Sequence, residues 1–248
     1  MKIIKYKKTT KGRYKIYLDD ERELLLYEDA ILKFELLLKK EIDEEYIMEV
    51  EKYNQECDVY NVALESIKHR FKSVYDLREF LLKKEYPGDL IEKVIEKLEI
   101  QGYLNDRSFA KSYINNQIST TNKGPYKIRR ELCEHKVNVN VVDEELVVFD
   151  EGLQLEKIKK VANRIYNSNR NKGGLVLKTK IINDLVNLGY ETGVILKIVS
   201  EFDFSNDLEI AKKEYEKLYK KFSRKYDGKE LEYKIKEKLF QKGLYYED

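Results

Sequence analysis

Apolar residues change their spacing once along this chain, near residue 28. Before that point, Ile3-Ile4-Lys5-Tyr6-Lys7 and Arg13-Tyr14-Lys15-Ile16-Tyr17-Leu18 alternate around the turn Thr9-Thr10-Lys11-Gly12. Such alternation predicts a hairpin. Asp19-Asp20 supply a second turn and Glu23 to Tyr27 a third strand, so the start reads as a small β-meander. From Glu28 the spacing becomes helical. Ile31, Phe34 and Leu38, with Ala30 and Leu37 beside them, predict a helix reaching Lys40. Asp43 then opens a short acidic helix that runs to about Tyr53.

From Val59 onward the apolar pattern repeats. An apolar residue is followed by a second four positions later and a third five beyond that. Leu77, Leu81 and Tyr86 fit, as do Ile128, Leu132 and Val137, then Ile181, Leu185 and Tyr190, and finally Ile235, Leu239 and Leu244. The first members recur at intervals of 51, 53 and 54 residues. A period of this size marks stacked supersecondary units. Each unit reads as three helices. The first trio covers about Val59 to Arg70, Val74 to Lys84 and Asp89 to Gln101. The second covers Asp106 to Ser119, Pro125 to His135 and Asn140 to Phe149. The third covers Leu153 to Asn169, Leu175 to Leu188 and Thr192 to Phe202. The fourth stops after its second helix. No trio buries its apolar stripe alone, so neighbours must stack. The expected fold is mainly α: tandem three-helix repeats in an elongated curved rod, with the β-meander at its start. The expected divisions are 1–56, 57–104, 105–151, 152–203 and a partial repeat at 204–248.

The stretch Gly102 to Leu132 organises this arrangement. Gly102 can take the left-handed conformation that stops a helix. Either Asn105 or Asp106 can cap the next one. Pro125 sits in a first turn, where no donor is needed. Gly173-Gly174 stands in the third trio where Gly124-Pro125 stands in the second. Gly189 and Gly243 occupy helix ends where Glu85 and Lys136 stand in the first two trios, so those two ends should be weaker or built differently.

Composition adds to this picture. Two prolines, no tryptophan and eleven glycines in 248 residues favour helix. Charged residues make up 38% of the chain and nearly cancel, at a net charge of +2. They are segregated, however. Lys2 to Lys15, Arg107 to Lys136 and Lys157 to Lys180 are basic, while Glu41 to Asp58 and Asp143 to Glu156 are acidic, so the surface should carry several patches. Cys57 and Cys133 are too few for a disulfide framework and suit a reducing compartment. No apolar run approaches the ~20 residues of a membrane span, and the first residues lack the apolar core of a signal peptide.

Candidate chemistry is narrow. His69 and His135 are the only histidines, and their spacing from the cysteines is not a metal-ligand pattern. They read as surface histidines beside packed cysteines. The phosphate-loop sequence is missing after Gly173-Gly174. The sequence therefore predicts no catalytic residue, no metal and no cofactor. Basic groups at helix starts are the better clue. Arg70 and Lys72 precede the first trio's middle helix. Lys123, Lys127, Arg129 and Arg130 cluster at the start of the second trio's, and Lys172, Lys178 and Lys180 take the matching place in the third. Cations there oppose the helix dipole, which suggests an acidic or phosphate-bearing ligand. A helical-repeat protein binding single-stranded nucleic acid directly would use the same faces, with tyrosines stacking on bases.

At these residues the chain resembles the RecX family, regulators of the bacterial recombinase RecA. Three segments carry the resemblance: Arg70-Phe71-Lys72-Ser73 with Asp76-Leu77; Gly102-Tyr103-Leu104-Asn105-Asp106-Arg107-Ser108-Phe109-Ala110; and Lys123-Gly124-Pro125-Tyr126-Lys127-Ile128 with Glu131-Leu132. The match spans about Val59 to Phe202. Departures are Glu85 and Lys136, where the family has glycine, and Asn105, where it more often has aspartate. The resemblance implies a cytoplasmic, non-enzymatic protein without a cofactor. It implies tandem trios lying along the groove of the RecA filament on single-stranded DNA, restraining filament growth, ATP hydrolysis and strand exchange in recombination, DNA repair and the SOS response. Arg70, Lys72, Lys123, Lys127, Arg129 and Arg130 are then expected to line the contact face of a monomer.

Overall fold

A computed structural model describes residues 1–9, 12–205 and 207–246. The chain opens with three strands, β1 (Ile3–Lys8), β2 (Arg13–Leu18) and β3 (Glu23–Tyr27). They pair antiparallel in the order β1-β2-β3, with Tyr6 opposite Ile16 and Ile16 opposite Leu24. The meander read from alternation is therefore present. Gly12 has φ +68° at its first turn; Thr10 and Lys11 lie outside the described residues. Alternate residues Ile16 and Leu18 of β2 are buried and meet Leu24 and Leu26 of β3 in one core cluster with Ile31, Leu36 and Ile47.

Two helical expectations fail in this first region. The helix α1 (Glu28–Lys33) stops seven residues short of Lys40. Glu35 turns left-handed at φ 48°, and the Leu36 amide donates to the Ile31 carbonyl at 3.0 Å. That end buries Leu36 and leaves Leu38 80% exposed, so tertiary burial of one leucine outranks the helical spacing of another. Next, α2 (Glu44–His69) runs unbroken for 26 residues where two helices were expected. Asp43 caps it by accepting from the Tyr46 amide at 2.8 Å, and no glycine or proline interrupts it.

The remaining helices form two full trios flanked by two pairs, and the end of α2 packs with the first pair. They are α3 (Val74–Leu82) and α4 (Gly88–Ile100); α5 (Asp106–Thr120), α6 (Pro125–Glu134) and α7 (Val139–Leu146); α8 (Glu151–Ser168), α9 (Gly174–Asn187) and α10 (Thr192–Val199); then α11 (Asp207–Phe222) and α12 (Gly228–Gln241). All but one of the pattern residues are buried; Tyr86 alone is half-buried. At about 25 cal/mol per Å² of apolar surface, each such leucine or isoleucine stabilises the fold by ~2 kcal/mol.

The chain divides into two compact units, Met1–Phe109 with His135–Val137, and Ala110–Glu134 with Asn138–Asp248. In the second unit the trios lock through backbone. The Gly124 amide donates to the Leu188 carbonyl at 2.7 Å, and the Gly173 amide to the Lys242 carbonyl at 2.9 Å. A methyl group on Gly124 would lie 2.5 Å from the carbonyl of Gly189, so only hydrogen fits there. In the first unit, Ser73 caps α3 by accepting from the Asp76 amide at 3.0 Å. Glu85 and Lys136 hold the same left-handed conformation as Gly189 and Gly243, at φ 63° and 59°. These ends are thus built alike, at a strain of about 1 kcal/mol for each side chain.

The choice left open between Asn105 and Asp106 is settled by geometry. Asn105 caps α5 from the Ser108 amide at 2.9 Å. Asp106 instead accepts from the Val74 amide at the start of α3, at 2.8 Å. In the second unit Asp207 does the same for the Gly174 amide at 2.7 Å. Pro125 takes the equivalent place in α6 and has no amide hydrogen to satisfy.

Candidate functional site

The first unit holds Arg70 and Lys72. Arg70 ends α2, its backbone extended at φ −157°, and Lys72 follows on the short connection to the Ser73 cap. Both line a groove of about 830 Å³ with Arg13, Phe80, Lys84 and Glu65. The ammonium groups of Lys72 and Lys84 lie 5.1 and 5.4 Å from the centre of the Phe80 ring. Arg70, Lys72 and Lys84 have no ion-pair partner among the described residues, so their charge is available to a ligand. Arg13 is different. It pairs with Asp58 at 3.0 Å and stacks over Tyr27. Tyr27 and Tyr86 both donate to Asp58, at 2.6 and 2.7 Å. Burial, then the Asp58 carboxylate, pushes the Tyr27 hydroxyl up to about 12; Tyr86 is raised for the same reasons. This cluster fastens the β-sheet to α2 and to the turn after α3, and its Arg13 and Tyr27 form one wall of the groove.

Sequence reasoning missed Lys84 and Arg13. Lys84 was visible as a cation closing the helix that Lys72 introduces. Arg13 was not, because β2 meets α2 only through tertiary packing.

The second unit holds the other four predicted residues. Lys123 pairs with Glu131 at 2.8 Å, and both side chains are mostly buried. The Tyr113 hydroxyl also donates to Glu131, at 2.9 Å. Burial pushes the Glu131 carboxyl up, but Lys123 and Tyr113 outweigh it and hold the group below its ordinary range. Arg129 grips Asp143 on α7 through two bonds of 2.6 and 3.1 Å. That hydrogen-bonded guanidinium holds the Asp143 carboxyl low. Arg130 sits 3.9 Å from Glu134 with both side chains well exposed. Lys127 packs its backbone against Gly189 and has no ion-pair partner among the described residues. The cluster is therefore not one patch. Lys123 and Arg129 are spent inside the unit, while Lys127 and Arg130 remain available.

Other titratable groups bear on packing. Cys57 is buried, and burial pushes its thiol up to about 11, so it stays protonated near neutral pH. His135, read as a surface residue, is half-buried. Its Nδ1 lies 3.0 Å from Asp76 and its ring meets Phe109 edge-on at 5.4 Å. No group of three or more His, Cys, Asp or Glu among the described residues is placed to hold a metal ion. No helix among them is long and apolar enough to cross a membrane.

Two family models match the chain. The RecX first three-helix domain covers residues 60–98, and the RecX second three-helix domain covers 105–146. The chain is 31% identical over 254 residues to the regulatory protein RecX of Listeria monocytogenes serotype 4b, covering all of this chain and 94% of that one. It is 30% identical over 253 residues to the regulatory protein RecX of Streptococcus sanguinis, covering all of this chain and 96% of that one. Among solved structures, a crystal structure of regulatory protein RecX superposes with a TM-score of 0.70 at 28% identity, over 80% of this chain and 98% of that one. RecX from Lactobacillus salivarius shares the fold, with a TM-score of 0.57 at 24% identity, over 60% of this chain and 97% of that one.

Proposed function

This chain belongs to the RecX family, and on that premise we propose that it binds the filament of the recombinase RecA on single-stranded DNA and inhibits its growth, ATP hydrolysis and strand exchange. The observation that carries the proposal is similarity along the whole chain, at 31% identity, to a protein named regulatory protein RecX. The basic groups left without internal partners, Arg70, Lys72 and Lys127, together with the exposed Arg130, are the contacts we assign to the partner. Binding rather than chemistry does the work: repeated weak contacts made by one chain on neighbouring protomers add as avidity.

The test is steady-state ATP hydrolysis by recombinase on single-stranded DNA, titrated with this protein. Inhibition is expected at substoichiometric protein. It should be lost in Arg70→Glu/Lys72→Glu and reduced in Lys127→Glu/Arg130→Glu, with helical circular dichroism unchanged. Undiminished inhibition by both double variants removes these residues from the interface. A lack of inhibition by the unaltered protein ends the proposal.

The groove beside Arg70 supports a second reading, direct binding of single-stranded nucleic acid, because open cations surround an aromatic ring there. Binding to bare single-stranded DNA that falls steeply with salt would favour it.

A further inference from the structure

The N-terminal sheet has two faces of different chemistry. One is apolar: Ile16, Leu18, Leu24 and Leu26 are buried, and Tyr6 and Tyr14 pack against the same cluster. Side chains alternate along a strand, so the opposite face carries Lys5 and Lys7 of β1 and Arg13, Lys15 and Tyr17 of β2. Glu23 is the one acid that the three strands contribute. The register sets Lys7 directly opposite Lys15, and Lys5 opposite Tyr17. Like charges directly opposite one another destabilise a sheet, and Glu23 answers only Lys15, at 2.6 Å. Lys5 and Lys7 are exposed and have no ion-pair partner among the described residues. Lysines on an outer strand guard against edge-to-edge pairing. That does not account for Arg13 and Lys15, because β2 is the central strand. An anionic ligand accounts for both strands, since it offsets the repulsion between them.

This face runs into the groove beside Arg70. Arg13 lines that groove with Arg70, Lys72 and Lys84. Lys15 is the next outward residue on β2, roughly 6–7 Å further along, and Lys7 flanks it. Unpaired cations therefore stand at both ends of one path within the first unit, Arg70, Lys72 and Lys84 in the groove and Lys5 and Lys7 on the sheet. Each end also has an aromatic ring. Phe80 lies near two lysines in the groove, and Tyr17 sits opposite Lys5, outside the core cluster. Cations interleaved with aromatic faces suit a chain of phosphates that carries flat bases, and sheet faces serve elsewhere as platforms on which bases stack.

We propose that the outer face of the N-terminal sheet binds single-stranded nucleic acid, continuing the path of the groove, with Lys5 and Lys7 on phosphates and Tyr17 stacked on a base. The proposal rests on the second reading given above for the groove and adds a separate site to it. It does not depend on the recombinase reading, and its test contains no recombinase.

The probe is a fluorescent oligothymidylate of about 15 nucleotides. Its anisotropy is followed on titration with the full-length protein at several salt concentrations. Saturable binding that weakens with salt is expected. Lys5→Gln/Lys7→Gln should lower the slope of log affinity against log salt by about 1.4, close to 0.7 for each phosphate contact removed. Tyr17→Leu should weaken binding about tenfold at a fixed salt concentration and leave the slope unchanged. Arg70→Gln/Lys72→Gln reads the groove separately and should also lower the slope. Circular dichroism and the urea midpoint establish that the variants are folded. A slope unchanged in Lys5→Gln/Lys7→Gln but lowered in Arg70→Gln/Lys72→Gln overturns the sheet site and leaves the groove reading standing. Undiminished binding by Tyr17→Leu overturns it too, because an acidic protein surface would need the lysines alone. No binding by the unaltered protein overturns both.

Discussion

In sequence, Arg70 and Lys72 of the first unit resemble Lys123 and Arg129 of the second, since all sit at or near the start of a trio's middle helix. The structure employs them in opposite ways. The first pair faces a groove whose lining acid, Glu65, pairs with Lys68 and with neither of them. The other pair is engaged by Glu131 and Asp143 at 2.8 and 2.6 Å. A basic cluster therefore indicates a binding surface only after its internal acids have been subtracted. What decides is whether a carboxylate lies eight residues along the same helix region, as Glu131 does from Lys123, or on the following helix, as Asp143 does.

The strongest way to break this contrast is charge reversal on the two sides. Arg70→Glu/Lys72→Glu is expected to weaken partner binding at least about tenfold while leaving the melting temperature unchanged. Arg129→Ala should leave partner binding unchanged. If Arg129→Ala proves as damaging to binding as the reversal, the contrast is wrong.

Stability should show the reverse ordering. Lys123→Ala strands the mostly buried Glu131 carboxylate and is expected to cost roughly 1–2 kcal/mol, read by urea denaturation. Lys72→Ala, by comparison, should fall within about 0.5 kcal/mol of the unaltered protein. A pH series sharpens the same point. The Glu131 carboxyl is held low in the fold, so its contribution is present above the ordinary glutamate pKa of 4.5 and is lost as pH falls through the lower folded value. The difference between the unaltered protein and Lys123→Ala should then shrink on acidification below about pH 4.5. A difference independent of pH would mean that Lys123 acts by packing alone. Arg129→Ala should likewise leave the urea midpoint close to that of the unaltered protein, because its pair with Asp143 is largely in water.

Much of the fold was legible because repetition leaves a periodic trace. The apolar triplets marked the middle helices within a residue or two, and alternation marked the strands. Prediction failed where one contact outweighed local spacing. Leu38 continued a helical stripe, yet Leu36 was buried and α1 ended early. Glu85 and Lys136 suggested altered helix ends, but packing imposed the glycine geometry on them. Among the candidate residues, Arg70 and Lys72 were readable as open cations. The commitment of Lys123 was not, because Tyr113 and Glu131 come together only when α5 packs on α6.

The amino-acid order alone determined that this chain makes strands first and then helical trios of a near-constant period, since both follow from the spacing of apolar side chains that must leave water. It also determined the helix start at Asp43 and the proline without a donor, which are local chemistry, but left the cap of α5 open between Asn105 and Asp106. Only the tertiary structure decided which charges are left for a partner. An ion pair depends on separations of a few ångströms between residues distant in the chain, and no spacing rule within one helix fixes those.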